Sequence, residues 1–256
     1  SPLLSHRFLA GGVDINRCFG SKSNTDYYKR AKLLEKAIRE VTPEAVVDLH
    51  NTSGSGPAFA VSPLLTTKVL SLTSFFCEAI ILSGLKLGAL MEQDFNCPTI
   101  TVECGGANDE QAHEVAYEGI KQLAQCPSMD NFHQNKSVDI VYKPLRLELK
   151  PNRKLSYNNH NEGNEGVTLL AKIEQFNFGG ANKGQMLGWL DEHGLNNLQL
   201  INENKENVIT DYFSLRDNQL VCSTNLRIFM ATPNDDIAKN DCLFYVVKKT
   251  GQQTIS

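Results

Sequence analysis

The alternation of apolar and polar positions divides the chain into two regions of different grammar, which meet near residues 127–136. In the first, Tyr27, Ala31, Leu34 and Ile38 recur at helical spacing across Asp26 to Glu40. Thr25 or Asn24 stands as the N-cap and Pro43 closes the segment. Ala45-Val46-Val47-Asp48-Leu49 reads as a buried strand, and Ala58 to Val61 as a second one. Leu65 to Leu82 predicts a helix buried on much of its surface. Pro98 to Glu103 is rich in β-branched residues and predicts another strand. Asp109 to Leu123 predicts an amphipathic helix with Ala112, Val115, Ala116 and Ile120 on one side. Strands alternating with helices predict an α/β sheet covered on both faces, with ligands at the strand ends where loops gather.

After Cys126-Pro127-Ser128 the helical pattern stops. Strand-like runs follow at Val138–Tyr142, Leu145–Leu149, Val167–Ile173, Leu187–Leu190, Leu198–Ile201, Leu220–Ser223, Leu226–Met230 and Cys242–Val247. Gly- and Asn-rich connections such as Asn158-Asn159-His160-Asn161-Glu162-Gly163 separate them, as expected of a small all-β domain. The expected division is residues 1–130 and 131–256.

Composition narrows the function. The chain has 256 residues, 25 Lys+Arg against 29 Asp+Glu, and a net charge of −4. That balance argues against nucleic acid, whose binders carry a marked positive excess. Hydrophobic residues at 41% and charged ones at 21% are ordinary for a globular chain. The longest apolar stretch, Val69 to Leu87, is interrupted by Glu78 and Lys86, so no membrane span is expected. The opening Ser-Pro-Leu-Leu-Ser-His-Arg lacks the basic and apolar regions of a signal peptide. Cys18, Cys77, Cys97, Cys104, Cys126, Cys222 and Cys242 are odd in number and form no C-x-x-C pair. Reduced thiols in a cytoplasmic protein are the simplest expectation. Without an initiator Met, the sequence also reads as a fragment.

Three segments of the first region carry candidate chemistry. In Asp14-Ile15-Asn16-Arg17, a guanidinium fork beside an amide suits a carboxylate, although an Asn-Arg pair alone also fits an ordinary surface. In Asp48-Leu49-His50-Asn51-Thr52, a histidine follows a buried strand and would project where a metal or substrate sits; a satisfied strand-end histidine is the plainer reading. In Thr101-Val102-Glu103-Cys104-Gly105-Gly106, a carboxylate closes an apolar strand, where burial would raise its pKa toward general-base duty. A glutamate emerging into solvent fits the same residues. Cys104 with His50 as its base is a further option, disfavoured by the neighbouring carboxylate. Ser53-Gly54-Ser55-Gly56-Pro57 leads into an extended segment rather than a helix, which excludes a phosphate loop, and there is no G-x-S-x-G.

In this order, Asp14-Ile15-Asn16-Arg17, Asp48-Leu49-His50 and Val102-Glu103-Cys104-Gly105 resemble the aspartoacylase and succinylglutamate desuccinylase family. The resemblance covers residues 1–125 by motif and the remainder by general character. It implies a zinc carboxypeptidase-like α/β fold, a mixed sheet flanked by helices and followed by a smaller all-β domain. It implies His50 as a ligand of a catalytic Zn2+, Glu103 as general base and acid, and Asn16, Arg17 and Asn51 as substrate-binding residues. Arg7 would help polarise the scissile carbonyl, and Asp14 would make a supporting hydrogen bond. The implied reaction is hydrolysis of a small-molecule N-acyl amino acid of the N-acetylaspartate or N-succinylglutamate kind. Neither nucleic acid nor membrane is an expected partner, and a homo-oligomer is compatible with the pattern.

The sequence departs from the family at one point. The family's His-x-x-Glu metal motif belongs upstream of Asn16, and none is found there. Truncation is the preferred expectation. The alternatives are a carboxypeptidase acting on peptides and a metal-free relative that only binds a carboxylate.

Overall fold

The computed structural model describes residues 13–21, 23, 25–84, 86–129, 137–163 and 165–249. The chain forms two compact units. The first takes Ser1–His50, Ala58–Glu103 and Glu114–Ile140; the second takes Asn51–Pro57, Cys104–His113 and Val141–Ser256.

A mixed five-stranded sheet carries the first half of the chain. Its strands are β1 (Val46–Thr52), β2 (Phe59–Ser62), β3 (Ala79–Leu82), β4 (Thr99–Gly106) and β5 (Asp139–Tyr142), in the order β1-β4-β2-β3-β5. Strands β2 and β3 run parallel, whereas β2 and β4 run antiparallel, with Phe59 opposite Glu103. Helices α1 (Asp26–Val41), α2 (Thr67–Ser74) and α3 (Glu110–Gln125) accompany the sheet. Phe59, Ile80, Ile100 and Val102 have no more than 1% of their surface exposed and anchor the sheet core.

Three expectations change. The helix expected over Leu65–Leu82 ends at Ser74, and the chain turns at Phe75–Cys77 into β3. A continuous apolar run has no period that separates a buried helix from a buried strand. Here the β-branched Ile80 and Ile81 pair with β2 and become buried. The apolar stripe of α1 is only partly used: Ala31 is buried against Cys18 and Phe19, while Leu34 is 45% exposed. The segment Val138–Tyr142, read as opening the β-rich region, instead supplies β5 to the first sheet.

The second unit contains two further sheets. One has the order β10-β6-β14-β13, from β6 (Leu145–Leu149), β10 (Leu198–Leu200), β13 (Leu226–Phe229) and β14 (Phe244–Lys248), and it is antiparallel throughout. The other has the order β11-β12-β9-β8-β7, from β7 (Leu155–Asn158), β8 (Val167–Leu170), β9 (Met186–Leu190), β11 (Phe213–Arg216) and β12 (Gln219–Cys222). Strands β7 and β11 went unpredicted because they are short and mix polar with apolar residues. Two short helices, α4 (Ile209–Tyr212) and α5 (Asp235–Asn240), also interrupt what read as purely β sequence. One apolar cluster fills this unit, with Leu147, Leu169, Leu187, Phe213 and Phe244 fully buried.

The segment 51–57 is fastened within this second unit. The Asn177 amide donates to the carbonyls of Ser55 (2.9 Å) and Ala231 (3.0 Å) and accepts from the Ala231 N–H (2.9 Å). Thr232 donates to the Ser53 carbonyl at 3.1 Å. A Cβ on Gly54 would stand 2.2 Å from the Ala231 oxygen, so the residue must be glycine. The Asp109 carboxylate accepts from the Gly106 N–H at 2.7 Å, from the Ser55 hydroxyl at 2.9 and 3.0 Å and from the Gly56 N–H at 3.4 Å.

All seven cysteines are free thiols, and burial pushes those of Cys222 and Cys242 up to about 12. Among the described residues no helix is long and apolar enough to cross a membrane.

The Gly106 N–H, with the Ser55 hydroxyl next in strength, holds the Asp109 carboxyl below the usual carboxylate range. A lowered folded-state pKa contributes stability above the unfolded value, and that contribution is lost as pH falls through the folded one. Asp109→Asn should therefore be less stable than the wild type near neutral pH. The gap should close from about pH 4 downward, as read by urea unfolding at a series of pH values. A pH-independent gap would show that charge at Asp109 is irrelevant.

Candidate functional site

The site lies in the first unit and begins with a single turn of 3-10 helix at Ile15–Arg17. Asp14 caps it, its carboxylate accepting from the Asn16 N–H at 2.9 Å. This is a local structural role, as expected for Asp14. Behind the turn, Cys18 and Phe19 are buried against Ala31 of α1, with Leu90 packed on the same cluster. Burial and the nearby Asp14 charge raise the Cys18 thiol, which stays neutral and donates to the Asp14 carbonyl.

A second segment, residues 87–92, docks on this turn. The Phe19 N–H donates to the Gly88 carbonyl at 2.9 Å, and the Leu90 N–H donates to Asn16 Oδ1 at 2.8 Å. The Glu92 carboxylate accepts from the N–H groups of Leu87 (2.8 Å) and Gly88 (3.0 Å). Gly88 has φ +77°, and a Cβ there would stand 2.7 Å from the Arg17 carbonyl oxygen. Only glycine meets both demands.

The strands supply the rest. Side chains two apart on a strand share a face, which puts Asp48 beside His50 on β1 and Thr101 beside Glu103 on β4. Strands β1 and β4 are neighbours in the sheet. His50 Nε2 lies 2.9 Å from Asp48 Oδ2, with side chains 25% and 20% exposed. The Asn16 Nδ2 group donates to the same oxygen at 3.0 Å, and Thr101 Oγ1 approaches it at 3.5 Å.

Asn16 Nδ2 also lies 3.2 Å from His50 Nε2, and this short triangle decides the tautomer. Were Nε2 to accept from Asn16, its lone pair would face a carboxylate oxygen at 2.9 Å. The favourable arrangement has Nε2–H and Nδ2–H both donating to Asp48 Oδ2. The ring of His50 is thus oriented through Nε2–H by a carboxylate.

Glu103 is the one residue of β4 that is not buried, and its Oε2 is nevertheless sealed from solvent. It is neither a core residue nor a freely solvated one. Cys104 is 5% exposed and, as the next residue on the strand, points to the opposite face. That geometry removes the thiol-nucleophile reading.

The Arg17 guanidinium turns back, donating to the Asn16 carbonyl at 2.7 Å. Among the described residues no carboxylate pairs with it. Asn51 belongs to the second unit, where its amide donates to the Gly105 carbonyl at 3.2 Å. Arg7 lies outside the described residues. The structure thus brings Asn16 and His50 together on Asp48 and sets Glu103 on the adjacent strand. Sequence reasoning gave Asp48 no role, although the i, i+2 spacing with His50 was the available signal. Leu90 and Gly88 carried no sequence signal, because their contribution is made by the backbone.

Of the described residues, His50 is the histidine at this site. Among them no group of three His, Cys, Asp or Glu side chains is placed to hold a metal ion.

Solved structures resemble this one. The succinylglutamate desuccinylase/aspartoacylase of Rhodobacter sphaeroides matches at TM-score 0.53 and 12% identity, covering 87% of this chain and 64% of that one. The succinylglutamate desuccinylase of Vibrio parahaemolyticus matches at TM-score 0.55 and 17% identity, covering 96% and 67%. Murine aminoacylase 3 matches at TM-score 0.51 and 12% identity, covering 92% and 77%. The chain has the desuccinylase/aspartoacylase fold. No family model matches it, and no curated protein does. The fold accounts for the mixed sheet and for the β sheets that follow it. The chain spans roughly two thirds of the length of the two bacterial structures, 64% and 67%.

Gly88→Ala should cost about 1–3 kcal/mol from the unfavourable backbone region alone, with the clash at the Arg17 carbonyl adding to it. Denaturant unfolding measures this. A loss below about 0.5 kcal/mol, within the range of ordinary surface changes, would show that the segment rearranges freely.

Proposed function

We propose that the protein hydrolyses the amide bond of an N-acyl amino acid, with Glu103 as general base and acid and Arg17 as the anchor for the substrate carboxylate. The observation that carries this reading is the pairing of a carboxylate-held histidine on β1 with a partly sealed glutamate on β4. It occurs in a chain with the fold of desuccinylase and aminoacylase structures.

The Arg17 guanidinium has one N–H bonded to a backbone carbonyl and no carboxylate partner among the described residues. Its remaining donors match the two oxygens of a carboxylate, and fixing that end of the substrate turns binding into orientation. Glu103 would take a proton from the attacking water and return it to the leaving amine. His50, oriented by Asp48, is the residue that would contribute to holding a zinc ion. When bound, zinc polarises the amide carbonyl and lowers the pKa of water. An acyl amino acid of the N-acetylaspartate or N-succinylglutamate kind fits a site whose defined cation is Arg17. The free thiols fit a reducing compartment such as the cytoplasm.

Hydrolysis of N-acyl amino acids by the zinc-supplemented protein, followed by amine release, tests the reading directly. Glu103→Gln should lower kcat by about 10²–10⁴-fold and leave zinc content unchanged. Full activity in that variant would remove Glu103 from the mechanism. Arg17→Ala should act mainly on KM, raising it at least tenfold for a carboxylate substrate while leaving KM for the corresponding amide unaltered. Zinc bound by the wild type and lost in His50→Ala supports the enzyme. A protein that retains a carboxylate ligand but takes up no zinc supports the non-catalytic relative.

A further inference from the structure

A cavity of about 520 Å³ opens in the first unit at the start of β4, with β2, α2 and the segment 91–98 around it. We infer that it is a second ligand site, shaped for a small organic cation with an apolar body, such as a primary amine on a hydrocarbon arm. It stands apart from the proposed chemistry. Thr99 opens β4, and Glu103 follows four residues later, about 13 Å along the strand.

The volume lies within the range of small-molecule sites, roughly 300–1,000 Å³. Its walls are apolar: Pro63, Val69, Met91, Pro98 and Met129 line it, and Val69 and Met129 are no more than 7% exposed. The flexible thioethers of the two methionines adapt to bodies of different outline. The buried polar groups of the lining already have partners. The Ser62 hydroxyl donates to the Thr99 carbonyl and accepts from the Leu64 N–H, each at 3.3 Å. The Thr99 hydroxyl donates to the Cys97 carbonyl at 3.3 Å. An apolar body entering here displaces water and strips none of these groups of its partner.

The polar end of a ligand must then be met at the rim, and the rim is acidic. Among the described residues Glu44, Glu92 and Asp94 line the cavity against one cation, Lys68. Glu44 and Asp94 are exposed, and neither carboxylate has an ion-pair partner among the described residues. The Arg39 guanidinium donates to the Asp94 carbonyl and lies over the Phe95 ring, and it forms no ion pair with the Asp94 carboxylate. Three negative charges against one positive favour a cation at the mouth, and the apolar walls favour a hydrocarbon behind it. The cavity also shares a wall with the candidate site. Met91, Glu92 and Gln93 line it, while the Glu92 carboxylate accepts from the N–H groups of Leu87 and Gly88, and Gly88 packs on the Arg17 carbonyl. Any opening of residues 87–93 dismantles that wall, so a bound ligand suppresses the opening.

NMR titration of the 15N-labelled chain with phenethylammonium, and separately with hydrocinnamate, decides the matter, because the two probes carry the same arm and opposite charge. The ammonium should give saturable shifts at the amides of Val69, Met91 and Met129. It should bind at least about tenfold more tightly than the carboxylate. Replacing both exposed rim carboxylates, Glu44→Gln with Asp94→Asn, should bring the two affinities within about threefold of each other. With the ammonium about tenfold above its Kd, hydrogen exchange at the Leu87 and Gly88 amides should slow by about tenfold. No saturable shift with either probe up to about 20 mM, an anion bound as tightly as the cation, or unaltered exchange at saturation would overturn the inference. None of these readouts involves hydrolysis. A wild type inactive on N-acyl amino acids would therefore remove the proposed function and leave the second site standing.

Discussion

A single carboxylate oxygen organises the site. Asp48 Oδ2 takes Nε2–H from His50 and Nδ2–H from Asn16, and Thr101 approaches it from the neighbouring strand. The pair is only 20–25% exposed, so water competes weakly for these bonds. Hydrogen bonds to an ionised group contribute about 1.5–3 kcal/mol each. The histidine tautomer, the orientation of the asparagine and the docking of residues 87–92 all follow from where that oxygen stands.

Holding the oxygen in place takes rigid neighbours on both sides. Below it, the β1 backbone is fixed by its place beside β4 in the sheet. Across from it, the 3-10 turn is held by the buried cluster of Cys18, Phe19 and Ala31. Ala31 is effective because it is small: it lets α1 come close enough to bury two larger side chains. Gly88 does the comparable job by having no Cβ, so that its segment can lie against the Arg17 carbonyl. The chemistry attributed to Arg17 and Glu103 uses side chains, but their supports are largely backbone and small residues.

The second unit has its own core and its own polar fastenings. Asn177, Thr232 and Asp109 together tie down residues 53–56, the stretch that follows β1 in the chain. Where a polar loop of this kind carries two glycines, its conformation is set by what accepts and donates around it rather than by local propensity. The Asn51 amide, tied to the Gly105 carbonyl, belongs to the same web. Its bond is the reason to regard Asn51 as an anchor of the loop ahead of any contact with ligand.

Much of this was legible in the chain. The periodicity marked α1, α3 and strands β1, β2 and β4. The three motifs marked Asn16, Arg17, His50 and Glu103 as candidates, which the structure places on a 3-10 turn and on the neighbouring strands β1 and β4. Leu65–Leu82 was misread because a uniformly apolar run has no period, and only pairing with β2 selected a strand for Ile80 and Ile81. Asp48 was visible but mute: its spacing from His50 put the two on one face, yet nothing local said which proton it would hold. Sequence alone therefore determined the elements and the candidate chemistry, since these depend on residue type and short-range spacing. Only the tertiary structure decided that Asn16 bonds Asp48 and Leu90, that Arg17 has no carboxylate partner among the described residues and that Cys104 turns away. Those outcomes depend on directed hydrogen bonds and close backbone contacts between segments up to 74 residues apart.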